Sequence, residues 1–185
     1  MSDQLNTHIL ETERLILRPW VEADIEPFAA MGADSRVMEY FPGLMSYEDA
    51  ASWPKKSNEQ FSKKGFTWWA VEIPGVTSFA GFAGLSEPGY QMHFTPCIEV
   101  GWRLAYDYWG KGYASEAARA SLKYGFEQCM LEEIVSFTTQ TNKRSRTLME
   151  RLGMHHDEKD DFLHPNLPEE HHLRPYVLYR LSKKD

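Results

Sequence analysis

A chain of 185 residues fits one ordinary domain and buries about 70% of its unfolded surface, so no metal or disulfide scaffold is needed to fold it. With 27 acidic against 20 basic residues, a net charge of −7, it lacks the basic face of a nucleic-acid binder. Such acidity suits cationic partners such as amines, although it also serves solubility alone.

No apolar run approaches the ~18 residues of a membrane span. The start Met1-Ser2-Asp3-Gln4 has neither the basic nor the apolar region of an export signal. Cys97 and Cys129, the two cysteines, fit reduced thiols, and the expected compartment is the cytoplasm, with no membrane partner.

In chain order, Glu13–Arg18 reads as a first strand with Leu15 and Leu17 on one face, ended by Pro19. Val21-Glu22-Ala23-Asp24 opens a helix, with acids in its first turn and Pro27 early enough to be tolerated. A short helical piece is expected around Arg36–Phe41, stopped by Pro42-Gly43. Ser46 and Asp49 form a capping-box pattern for a helix running toward Gly65, and Pro54 inside it predicts a kink or break.

The period then changes. Thr67–Ile73 and Thr77–Leu85 are β-rich and flank Pro74-Gly75, which predicts a hairpin; Cys97–Leu104 predicts a third strand. Ala114, Ala117, Ala118, Ser121, Leu122 and Gly125 recur at helical spacing, giving a helix whose buried stripe is small enough to lie close on a sheet. Ile134–Thr138 is a strand and Lys143–Leu152 a helix stopped at Gly153; Met154–Asp157 and Val177–Leu181 close the sheet, with loop between them. The order is α+β, residues 1–185 forming a single domain with helices punctuating a largely antiparallel sheet.

The most informative stretch is Trp109-Gly110-Lys111-Gly112-Tyr113-Ala114-Ser115-Glu116, which follows a strand and opens a helix. Two glycines free the backbone to turn its N–H groups inward, and the helix start adds unpaired donors and positive dipole, a nest suited to a pyrophosphate. Alone, a Gly-x-Gly before a helix is more often just a tight turn. The stretch fits neither G-x-x-x-x-G-K-[ST] nor the three-glycine dinucleotide fingerprint, which disfavours a nucleotide-binding enzyme.

Together with Glu99–Leu104 before it, this stretch resembles the signature of GNAT acetyltransferases, whose phosphate loop is written Q/R-x-x-G-x-G/A; Trp109 stands where Gln or Arg is usual. Asn142-Lys143-Arg144-Ser145 with Leu148–Met154 is similar to the family's second block. Asp161-Phe162-x-His164-Pro165 leading to Val177–Leu181 resembles the tail of the RimJ/RimL-type branch that acetylates ribosomal-protein amino termini, and Glu13-Arg14-Leu15-x-Leu17-Arg18 matches at the start. These blocks occur in the family's order over nearly the whole chain.

The resemblance implies a single GNAT-type domain, with a mixed, mostly antiparallel sheet, helices on both faces, and a splay between two central strands that admits acetyl-CoA. Backbone groups of Trp102, Arg103 and Leu104 would pair with the pantetheine arm, and N–H groups across Gly110, Lys111, Gly112, Tyr113, Ala114 and Ser115 would hold the pyrophosphate. Asn142 would bond the pantetheine amides, and Ser145 would lie by the thioester sulfur; read without the family, Asn142 is a helix N-cap. The acceptor is a primary amine, of a protein N-terminus or a small molecule, and no metal or nucleic acid takes part.

Glu99 is the expected base acting through water, although the bland reading is an exposed or Arg-paired strand residue. As an ordinary carboxylate, its loss would tell mainly at low pH. A backbone N–H at a bulge in its strand would polarise the thioester. Many family members carry a tyrosine acid where this chain has Met149, which leaves Ser145 as substitute donor and keeps open a non-catalytic acyl-CoA sensor. Asp161 and His164 are secondary candidates to face the acceptor. His155, His156, His164, His171 and His172 lack metal-site spacing. Of the aromatics Tyr40, Phe41, Trp53, Phe61, Phe66, Trp68 and Trp69, most read as core and one or two as substrate contacts. Oligomeric state stays open, a homodimer being one arrangement.

Overall fold

The central strands are buried in continuous runs, covered on both faces, in the computed structural model, which describes residues 9–184; the start read above for an export signal lies outside them. β1 (Leu10–Glu11) and β2 (Ile16–Arg18) lead in, with Leu15 and Leu17 both fully buried as the alternation predicts. A single 3-10 turn at Glu22–Asp24 passes into α1 (Ile25–Ala33). The expected helical piece at 36–41 is absent: the segment holds isolated turn bonds, Val37 and Met38 N–H to the Asp34 carbonyl and Phe41 N–H to Met38.

α2 (Tyr47–Lys64) starts at Ser46, whose hydroxyl accepts the Asp49 N–H at 3.1 Å, and stops at Gly65 with φ +77°. It runs unbroken through Pro54, so of the expected kink or break the break does not occur. Ala50, Pro54, Ser57 and Phe61 form one buried stripe, so packing on both sides of the proline holds the helix despite the lost N–H.

β3 (Trp68–Ile73) and β4 (Thr77–Ser86) form the hairpin, and β5 (Glu99–Leu104) pairs with β4 in unbroken register from Ser86↔Glu99 to Gly81↔Leu104. The expected bulge in β5 is therefore not there. α3 (Tyr113–Glu127) buries the small-residue stripe, β6 (Glu133–Thr139) follows, and α4 (Lys143–Arg151) ends before Gly153 at φ +83°. The tail gives β7 (His155–His156), β8 (Phe162–Leu163), which lies in the segment expected to be loop, and β9 (Pro175–Ser182).

The sheet runs β1-β2-β3-β4-β5-β6-β9-β7, with β8 also on β9. Every described pairing is antiparallel except β5 with β6, which share one register pair, Glu99↔Val135, and then part. The backbone edge of β5 beyond Glu99 thus faces a gap rather than a strand. α3 covers one face, over Trp69, Val71, Leu85, Val100 and Leu104, and α1 covers the other, over Ala70, Phe79 and Phe82.

One ion cluster ties this frame together. Arg18 reaches the buried Asp24 at 2.8 Å and Glu72 on β3 at 2.9 Å, so its pKa is raised by the Asp24 hydrogen bond first. Breaking a buried pair costs about 3–5 kcal/mol, since one charge stays desolvated. Asp24→Ala is expected to lower the melting temperature by roughly 6–20 °C, at 2–4 °C per kcal/mol for a domain of this size. A thermal melt within a degree or two of the parent would contradict that role.

Candidate active site

Gly110 and Gly112 take φ +73° and +84°, a left-handed backbone that turns the loop into the N-terminus of α3. Among the described residues, no backbone N–H from Gly110 to Ser115 is donated to a backbone carbonyl. These free donors lie together at the positive end of a 15-residue helix.

Long-range contacts hold the loop in shape. Arg14 pairs with Glu116 at 2.6 Å, donates from Nη1 to the Lys111 carbonyl at 3.0 Å, and lies 4.8 Å from the Tyr113 ring centroid. Glu116 also accepts from Thr12 at 2.6 Å; burial pushes its pKa up, but the Thr12 and Arg14 bonds outweigh that and hold it low. Trp109, the departure from the family's loop, donates its indole N–H to the Leu104 carbonyl at 2.8 Å, and Arg144 lies 4.5 Å over its ring. The indole therefore ties the loop to the end of β5, something a backbone-only reading of this position missed. Trp109→Phe keeps an aromatic ring, smaller than the indole, and loses the bond. It is expected to cost about 1 kcal/mol, a fall of roughly 2–4 °C in melting temperature; an unchanged melt would show the bond adds nothing.

Across the gap, Asn142 caps α4. Its Oδ1 accepts the Ser145 N–H at 3.2 Å, and its Nδ2 donates to Thr138 Oγ1 at 3.0 Å and Ser145 Oγ at 3.1 Å. Ser145 Oγ is thus an acceptor from Asn142 and keeps its own proton to donate. Met149 is fully buried in the core under the sheet, so no hydroxyl stands there.

On β5, Glu99, Gly101 and Arg103 alternate onto the face covered by α1, where Arg103 sits opposite Phe82. A Cβ at Gly101 would meet the Trp68 ring at 2.8 Å, so the absent side chain leaves room for the indole across the strand. Glu99 has no hydrogen bond or ion pair from any described residue, and burial alone raises its carboxyl to about 8. The electrostatic neighbours Tyr90, Cys97 and Tyr176 feel its charge; Tyr90 and Cys97 are pushed up by burial first and Glu99 second, Cys97 to about 11. The bland reading of Glu99 as an Arg-paired strand residue does not hold.

The secondary candidates divide. Asp161 is taken by His156 at 2.7 Å. His164 packs its ring against Tyr90 and Tyr176, 4.9 Å from each centroid, and burial lowers its pKa. His171 and His172 stack on one another at 4.9 Å, and among the described residues no group of three His, Cys, Asp or Glu side chains gathers to hold a metal. No helix of the described residues is long and apolar enough to cross a membrane.

Comparison with known proteins shows the family and the fold. The pattern of the Acetyltransferase (GNAT) domain matches residues 14–155. The uncharacterized N-acetyltransferase YnaD of Bacillus subtilis is 30% identical over 78% of this chain and 81% of its own. A GNAT-family acetyltransferase structure from Bacillus anthracis superposes with a TM-score of 0.76 at 28% identity, covering 96% of this chain and 99% of that one. RimL, a ribosomal L7/L12 α-N-protein acetyltransferase solved with coenzyme A, superposes at 0.73 over 94% of this chain and 97% of its own; at 13% identity that likeness is one of fold.

Proposed function

The chain belongs to the GNAT family of acetyl-CoA-dependent N-acetyltransferases, and we propose that it passes the acetyl group directly to a primary amine while both substrates are bound. The observation that carries this reading is the row of free N–H groups from Gly110 to Ser115 beside the gap between β5 and β6, with Glu99 on the opposite face of β5.

The nest fits a pyrophosphate in shape and sign, and the unpaired β5 edge at Trp102, Arg103 and Leu104 fits an extended amide-bearing arm, with Asn142 at the far wall. The Leu104 carbonyl already accepts from Trp109 and has a second lone pair to offer. Acetyl-CoA supplies the acetyl group as an activated thioester.

The residues then have separable tasks. An ammonium cannot attack, so Glu99 takes its proton, through water where the amine is not in direct reach. An acceptor arriving as a cation stabilises the Glu99 carboxylate and lowers its raised pKa toward the working range. Ser145 donates its free proton in a hydrogen bond to the departing thiolate, which has a reference pKa of only about 8.5 and needs little more to leave near neutral pH.

A panel of primary amines, including peptides with free N-termini, read by release of CoA thiol, tests the reading. Turnover with at least one amine is expected. Tight CoA binding with no turnover across the panel would favour the sensor that the buried Met149 leaves open.

A further inference from the structure

Arg103 is a half-buried cation that no described acid answers. Its guanidinium lies 3.8 Å from the Phe41 ring centroid and 5.3 Å from that of Phe82, and its Nη1 reaches only the Met38 sulfur, at 3.7 Å. The Nε–H is buried without a partner, no described carboxylate forms an ion pair with the group, and burial lowers its pKa to about 10. Leaving a charge so placed is costly unless something else supplies the counter-charge.

The same wall holds more donors. Arg103 lines a pocket of about 280 Å³ between α2 and the turn at residues 34–46, together with Trp53, whose indole N–H is also buried and unpartnered. Lys56, exposed and in no ion pair, lines it too. The lining acid, Asp49, already takes the Ser46 hydroxyl at 2.7 Å in the first turn of α2. Unfilled donors of this kind match a group that only accepts, and a planar guanidinium matches a carboxylate best.

The pocket also stands in line with the base. Glu99 and Arg103 share one face of β5, four residues or about 13 Å apart along the strand. Between them Gly101 yields its space to the Trp68 ring, an apolar floor.

We infer that the acceptor is a small amine that also carries a carboxylate, its amine meeting Glu99, its body lying on Trp68, and its carboxylate held by Arg103 with Trp53 and Lys56. The assignment rests on the transferase reading above and names the substrate class for that site.

Alanine di- and tripeptides, each as free acid and as C-terminal amide, test it by CoA thiol release and by calorimetric binding in the presence of CoA. The free acids are expected to exceed the amides at least tenfold in kcat/KM, mostly through KM. In Arg103→Met that ratio falls to about one, in Arg103→Lys part of it returns, and Lys56→Gln lowers it several-fold. Should Arg103→Met not fold, the parent protein's ratio and Lys56→Gln still decide. Equal use of acid and amide by the parent, or an unchanged ratio in the folded Arg103→Met protein, overturns the proposal. The two readings fail differently: acid bound over amide without turnover keeps the pocket and removes the transferase. Turnover without acid preference does the reverse, and neither binding nor turnover removes both.

Discussion

Gly112→Asp is expected to weaken acetyl-CoA binding by about 100-fold or more. The glycine sits at φ +84°, where an L side chain costs about 1–2 kcal/mol, and a Cβ there would stand 3.2 Å from the Arg14 guanidinium that braces the loop. The added carboxylate brings negative charge into a nest that attracts a pyrophosphate through its free N–H groups and the positive end of α3, and like charges so placed cost several kcal/mol more. The sum is roughly 3 kcal/mol or above, a rise in Kd on the order of 100-fold or more. Gly112→Ala separates the two effects: it keeps the strain, adds no charge, and is expected to weaken binding by about tenfold at most. Calorimetry with CoA reads both, and an aspartate variant binding like the parent would take the loop out of the site.

Glu99→Gln removes the proton acceptor, for a loss of roughly 10²-fold in kcat/KM where the parent is most active. Its pH dependence follows from the carboxyl being raised to about 8 by burial. Below that pH the group is already protonated in the free enzyme, so parent and variant converge. The deficit opens as pH rises through about 8, because only then does the parent carry the base. This reverses the low-pH deficit expected of an ordinary glutamate. The ratio of parent to variant cancels the acceptor's own titration, and kcat/KM reports the free enzyme, before a bound ammonium lowers the Glu99 pKa. A ratio flat across pH 6–9 would remove Glu99 from the proton transfer.

How far the sequence reaches depends on whether a feature is local. The nest was legible because Gly110 and Gly112 are required by positive φ, and the buried side of α3 because Ala117, Ala118, Ser121 and Leu122 recur at helical spacing. The splay came only through the family resemblance; nothing local in Glu99–Leu104 says that its parallel partner leaves after one pair. β1 and β8 have two residues each, too few for a period, whereas the equally short β7 falls within the expected Met154–Asp157. Pro54 does not break its helix because buried neighbours on its stripe outweigh its propensity, and 36–41 is a turn rather than a helical piece, with Arg36 and Phe41 engaged elsewhere, stacking on Tyr106 and Arg103.

The site shows the same division. Glu99, Asn142 and Ser145 were named by motif; Glu99 stands at the last β5–β6 pair, and Asn142 and Ser145 at the start of α4. What spacing could not reveal is which partners they have or lack: Glu99 with none, Asn142 occupied by Thr138 and Ser145, Arg14 spanning the chain to Glu116. Arg103 was named only for its backbone, since its unpaired side chain is a property of everything packed around it. The one departure from the signature, Trp109, proved to be a structural tie.

A crystal structure of the protein with coenzyme A bound tests the central claim most directly. The diphosphate oxygens should lie within hydrogen-bonding distance, about 3 Å, of backbone nitrogens between Gly110 and Ser115, with the pantetheine arm running along β5 into the gap. Diphosphate density anywhere else, with those nitrogens left to solvent, would contradict the account.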